Sequence, residues 1–179
     1  MTASAVDKRL LGARSKAHGE WFEGMIKAAC DYYRYVGLAD IEKTPEPMKI
    51  LRPYGNGQFL ACFEGAAQAD FKGTLRGGRS VNFEAKHTDG EKMEQSRVTD
   101  VQVKKLDNTA RMGGLCFVLC SFSKTHSFYR IPWEIWKDMK GTFGHKYFTP
   151  EEAKLFRVRT GGNGILMFLN GIKMQEGDG

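Results

Sequence analysis

Asp70, Glu84 and Lys86 are the residues of this chain whose types and spacing could do chemistry. Residues 79–86 alternate as a strand does, which predicts Val81, Phe83 and Ala85 on one face and Asn82, Glu84 and Lys86 on the other. Residues 70–75 form a second such run, joined to the first through Arg76-Gly77-Gly78, a hairpin signal. A three-residue loop at 76–78 sets Asp70 opposite Glu84, and a two-residue loop shifts that pairing by one. Directly opposed side chains have Cβ atoms about 4.5–5.5 Å apart, so two carboxylates there repel unless a cation lies between them. Two carboxylates, the Ala85 carbonyl and waters make an oxygen-rich donor set that suits Mg²⁺, or Mn²⁺ in its place, better than zinc. Such an ion lowers the pKa of bound water and polarises a phosphoryl oxygen. Lys86 beside it could orient the water or neutralise charge developing on phosphorus. The pattern fits metal-assisted hydrolysis of a phosphodiester. Its competitor is a solvated strand face carrying a surface ion pair, worth little energetically.

The elements that must position these residues are partly legible. Phe22, Ile26, Ala29 and Tyr33 recur at helical spacing, predicting a helix over residues 19–36 that stops at Gly37. Residues 1–17 carry several basic side chains without apolar periodicity and are read as a flexible basic arm. Pro45 and Pro47 enforce an extended path. Residues 48–65 mix short apolar runs with Gly55 and Gly57 and show no single period. A helix is predicted over residues 98–112, ended by Gly113-Gly114. Residues 115–122 form an apolar run of the kind buried on both faces of a sheet, with 127–131 as a pairing partner. A short helix over 133–139 and a last strand over 165–169 complete the reading. Phe122, Phe128, Tyr129, Trp133 and Trp136 are expected in the core rather than against bases. The order implies one mixed α/β domain, residues 18–175, around a central sheet.

The chain has 179 residues, with 27 Lys+Arg against 21 Asp+Glu and a net charge of +6. That excess favours a polyanionic partner. No window approaches the roughly 18–20 apolar residues of a membrane span, and no secretory signal precedes the first helix, so a cytoplasmic protein is expected. Cys30, Cys62, Cys116 and Cys120 form no C-x-x-C pair and are read as buried free thiols. No phosphate-loop or dinucleotide fingerprint supports a kinase or Rossmann reading.

Asp70-x13-Glu84-Ala85-Lys86 resembles the PD-(D/E)XK nuclease superfamily. Glu23, Tyr32-Tyr33, Ile41-x-Lys43-x-Pro45-x-Pro47, Asp70-x-x-Gly73, Phe83-Glu84-Ala85-Lys86, Gln102 and Gly114-x-Cys116-Phe117-Val118 together resemble the RecU family, over about residues 18–135. RecU proteins are Holliday-junction resolvases of Gram-positive bacteria and some of their phages. The resemblance implies a restriction-endonuclease-like central mixed sheet flanked by helices, with a short protruding stalk at about 48–69. It implies a homodimeric, Mg²⁺-dependent endonuclease that nicks a four-way DNA junction symmetrically. By position, Asp70 and Glu84 match metal ligands and Lys86 the catalytic lysine. Gln102 matches a further site residue, and Glu23 a carboxylate that reaches the metal through water.

The chain departs from the family at Ala67, Gln68 and Ala69, where threonines often precede the aspartate, and at Thr99 and Val101, where histidines are common. Its stalk is also short and poor in basic residues. Lys43, Lys49, Arg52, Lys72, Arg76, Arg79 and Arg97, with His87 near the site, are the candidates for contacts to DNA. Two other functions compete. One is a different DNA nuclease of the same superfamily, and the other is a non-catalytic branched-DNA-binding accessory of recombination.

Overall fold

The computed structural model describes residues 3–45, 48–63 and 68–174. Its centre is a six-stranded mixed sheet in the order β1-β4-β5-β7-β8-β10. These strands are β1 (Ala39–Lys43), β4 (Phe71–Leu75), β5 (Ser80–Thr88), β7 (Leu115–Phe122), β8 (Ser127–Pro132) and β10 (Arg157–Val158). Only β5 and β7 run parallel; every other neighbouring pair in this sheet is antiparallel. The parallel pair is made possible by α2 (Asp100–Arg111), which carries the chain back across one face.

The two faces are buried by different helices. On one, α1 (Ala3–Tyr35) packs Phe22, Ile26, Ala29, Cys30 and Tyr33 against Val81, Phe83, Phe117 and Leu119. The rings of Phe71, Phe83 and Phe117 stack across three adjacent strands, with centroids 5.0 and 4.6 Å apart. On the other face, Leu106 of α2 and the tryptophans of α3 (Trp133–Lys137) cover Cys116, Val118 and Cys120, with α4 (Met139–Phe143) adding Met139. Alternate residues of β7 therefore enter two different cores, as its unbroken apolar run predicts.

Several expectations are corrected. The segment read as a loose arm is helical from Ala3 and continuous with the rest of α1. Residues 12–17 are exposed, so the helix propensity of Ala13, Arg14, Lys16 and Ala17, rather than an apolar stripe, supports the helix there. The predicted last strand at 165–169 does not form; its end, Phe168 and Leu169, is turn. Leu166, Phe168 and Leu169 are buried, but only Leu166 makes a bridge, to Thr160. The helix expected over 133–139 is two short helices, α3 and α4, parted at Asp138.

The stalk region forms a hairpin of its own, β2 (Met48–Gly55) with β3 (Gln58–Phe63). Its turn residues Asn56 and Gly57 both have positive φ, the signature of a tight type I′ connection. Residues 48–62 are exposed, including Ile50, Tyr54 and Phe59; residues 64–67 of the expected stalk lie outside the described residues. Two-residue strands β6 (Met93–Glu94) and β9 (Tyr147–Phe148) pair separately. Cys30, Cys116 and Cys120 are buried free thiols, whereas Cys62 is free but exposed on β3, contrary to expectation. Burial pushes the thiols of Cys30 and Cys116 up to about 12 and about 11. No helix among the described residues is long and apolar enough to cross a membrane.

Candidate active site

The β4–β5 hairpin determines the site. Its loop is three residues, closed by Leu75 N–H donating to Arg79 O at 2.8 Å, and Phe71 pairs with Phe83. Continued one step, that register sets Asp70, just before β4, opposite Glu84. The carboxylate of Asp70 is then close enough to accept the Ala85 backbone N–H at 3.0 Å. Lys86 Nζ donates to Glu84 Oε2 at 2.9 Å and lies 3.7 Å from Asp70 Oδ2. The two opposed carboxylates thus share one ammonium, itself only 15% exposed. In this arrangement the cation the sequence reading called for is, in part, the lysine.

Glu84 is completely buried, which is costly for a charge. Its pKa is raised from 4.5 to about 7, by burial first and by Asp70 as well, against the lowering effect of Lys86. One oxygen, Oε2, accepts from Lys86 and also from Gln102 Nε2 at 2.5 Å. The other, Oε1, is buried with no hydrogen-bond partner. A buried, unpartnered carboxylate oxygen beside a second carboxylate is what an oxygen-seeking cation needs, so the residues present fit a divalent ion.

Gln102 is fixed by its own helix. Thr99 caps α2 and Gln102 is the third residue, so the two form a capping box. Gln102 Oε1 accepts from the Thr99 backbone N–H at 3.1 Å, leaving its amide N–H₂ to face Glu84. The motif Thr99-x-x-Gln102 was the available signal for Thr99, which the sequence reading passed over. The first turn of α2, where the helix carries partial positive charge, is thereby held against Glu84.

The remaining candidates divide. Glu23 of α1 pairs with Lys43 at the end of β1 and makes no hydrogen bond or ion pair with Asp70, Glu84 or Lys86. Lys43 pairs across the sheet with Phe71, next to Asp70, so both lie at the site's edge. Lys72 donates to Gln68, two residues before Asp70. Arg97 donates to the His87 carbonyl at 2.7 Å, holding it near the C-terminal end of β5. Arg76 and Arg79 are not brought to the carboxylates, because they flank the hairpin's far end. Arg79 there donates to Gly113 O at 2.9 Å. Lys49 and Arg52 are on the exposed β2–β3 hairpin, where the Arg52 guanidinium lies 5.3 Å from the Tyr54 ring centroid.

A pH effect follows from the Glu84 shift. Its pKa is higher in the folded chain than its ordinary 4.5, so between about pH 4.5 and 7 the folded state holds the extra proton. This group's stability contribution is therefore present at the acid end and is lost as pH rises through about 7. In EDTA, urea midpoints of the wild type should fall further between pH 5 and pH 8 than those of Glu84→Gln. Parallel behaviour of the two proteins would contradict the raised pKa.

Comparison with known proteins follows the same lines. The family model described as Recombination protein U, RecU, matches residues 17–174. The Holliday junction resolvase RecU of Streptococcus gordonii is 34% identical over 120 residues, 64% of this chain and 60% of that protein. Its counterpart in Geobacillus sp. strain WCH70 is 31% identical over 119 residues, 63% of this chain and 59% of that one. The chain thus spans about three fifths of the length of these relatives. Among solved structures, that of Archaeoglobus fulgidus Hjc, a Holliday junction resolvase, overlaps 77% of this chain and 88% of its own. That match has a TM-score of 0.46 and 12% identity.

Proposed function

Since the chain belongs to the RecU family of recombination proteins, we propose that it is a metal-dependent endodeoxyribonuclease that resolves four-way DNA junctions. The observation that carries the reading is the buried Glu84 carboxylate, opposed by Asp70, bridged by Lys86 and left with one unpartnered oxygen. A binding module has no reason to sustain the cost of that arrangement beside a phosphate backbone. Relatives named as Holliday junction resolvases support the substrate class.

Asp70, Glu84 and the Ala85 carbonyl would hold the ion, and the all-oxygen donor set favours Mg²⁺ or Mn²⁺. When bound, the ion supplies a more acidic water and a polarised phosphoryl oxygen. The chain's own residues do the rest. The Ala85 N–H fixes one oxygen of Asp70, and Gln102 fixes Oε2 of Glu84, so neither carboxylate is free to turn away. Lys86, released from its role as shared counter-charge, can face the scissile phosphate and neutralise charge that builds there. Lys43, Lys72 and Arg97 would hold the phosphate backbone beside the site, and Lys49 and Arg52 would do so from the hairpin. Glu23 acts through Lys43. A homodimer would place two such sites about a two-fold axis, matching the two-fold symmetry of a four-way junction.

The test is cleavage of a four-way junction, a replication fork, linear duplex and single strand of related sequence, with Mg²⁺ or EDTA. The expected result is Mg²⁺-dependent cutting of the junction well above the other three. Equal cutting of all four DNAs would discard the junction reading and keep the nuclease. Binding without cutting would leave an accessory role in recombination.

A further inference from the structure

His87 is one residue beyond Lys86 and so projects from the opposite face of β5, toward α1. Its side chain is 8% exposed and its Nε2 lies 3.1 Å from Asp89 Oδ1. His18, on α1, brings Nδ1 to 2.8 Å from the same oxygen. One ligand-type atom from each of the three residues lies within 4.8 Å of the others. The proposed hydrolysis uses none of these atoms.

We propose that His18, His87 and Asp89 bind a zinc-class transition-metal ion, at a site separate from Asp70 and Glu84, and that the ion fastens α1 to the end of β5. Two imidazole nitrogens and one carboxylate oxygen suit Zn²⁺, where the oxygen-only set across the strand suits Mg²⁺. Tetrahedral bonds of about 2.0–2.1 Å place ligand atoms roughly 3.3 Å apart, so the observed 2.8 and 3.1 Å to Asp89 need to open by only a few tenths, and the two imidazole nitrogens, within 4.8 Å of each other, would settle to the same spacing.

The surroundings add an independent argument. His87 Nδ1 is 3.3 Å from the hydroxyl of Ser121, its register partner on β7, which turns Nε2 toward the cluster. Ser123 Oγ donates to Asp89 Oδ1 at 2.5 Å. An imidazole held through its other nitrogen and a carboxylate held by a hydroxyl are how ligating side chains are oriented around a metal. The Ser123 bond, with the two histidines, also keeps the Asp89 carboxyl well below the usual range and therefore ionised. All three residues line a cavity of about 750 Å³, shared with Arg14, Trp21 and Lys124, which has room for a water as fourth ligand. His18 comes 71 residues before Asp89, on a different element from the His87-x-Asp89 pair, so no H-x-x-x-H spacing announces the set.

The test is calorimetric titration of the whole chain with Zn²⁺ in millimolar Mg²⁺, together with thermal melting. The wild type and Glu84→Gln should each take up one tight equivalent. His18→Ala and Asp89→Asn should bind it at least ten- to a hundredfold more weakly. Zinc at a hundred times Kd should raise the wild-type Tm by about 5–10 °C and leave both variants nearly unmoved. Far-UV circular dichroism without zinc confirms that the variants are folded; His18 is partly exposed on a helix, and its loss should cost little there. Absence of zinc binding by the wild type, or equal binding by folded variants, would overturn the proposal. Loss of zinc binding in Glu84→Gln would place the ion at the carboxylates instead and overturn it equally.

Discussion

Glu84→Gln and Asp70→Asn should each lower Mg²⁺-dependent cleavage by about three orders of magnitude while junction binding in Ca²⁺ or EDTA changes little. Both substitutions preserve shape and remove charge. Glutamine at position 84 can still accept from Gln102 and Lys86 through its carbonyl, so the hairpin and the α2 cap should persist. What is lost is the negative oxygen pair that would compete with water for a hard cation. Asparagine at position 70 keeps an oxygen for the Ala85 N–H but halves the opposed charge. Single-turnover cleavage and fluorescence anisotropy, measured on the same protein, separate the two effects. Cleavage within tenfold of wild type in either variant would remove that residue from the site.

Gly73→Ala should destabilise the protein by about 3 kcal/mol or more, lowering Tm by roughly 6–12 °C. Gly73 of β4 pairs with Ile41 of β1. A Cβ there would lie 2.0 Å from the Asp40 carbonyl oxygen and 2.6 Å from the Ile41 Cα. Both obstacles are backbone, so no rotamer change relieves them and the strands must move apart. The damage should reach the site, because β1 leads directly to Lys43 and to Thr44, whose N–H donates to the Asp70 carbonyl at 2.9 Å. Gly12→Ala is the control: a Cβ there meets nothing within 4 Å, and alanine favours helix. Equal melting temperatures for wild type and Gly73→Ala would show that the strands are not so tightly opposed.

The site was legible because its geometry is local: a three-residue loop fixes the pairing of Asp70 with Glu84 without reference to the rest of the chain. The hairpin at 48–63 was equally local and carried its signal in Asn56-Gly57, but its alternation is blurred because residues on both faces of both strands are exposed. Thr99-x-x-Gln102 likewise spelled out a cap, and only the fold shows that the same glutamine also grips Glu84. Residues 165–169 misled because burial under α1 needs apolar side chains whether or not a strand forms; the Tyr33 hydroxyl accepts from Leu169 N–H in place of a ladder. Partners distant in sequence, such as Glu23 with Lys43 or His18 with Asp89, leave no periodic trace. The family likeness is legible as many short motifs in register rather than as any one of them, and the family match extends over residues 17–174.

Metal-dependent junction resolution is tested by mapping, strand by strand, the nicks made in an end-labelled four-way junction, in Mg²⁺ and in EDTA. The expected result is paired nicks at symmetry-related positions of two opposed strands in Mg²⁺, and none in EDTA. Nicks that persist in EDTA, or an intact junction fully bound in Mg²⁺, would contradict it.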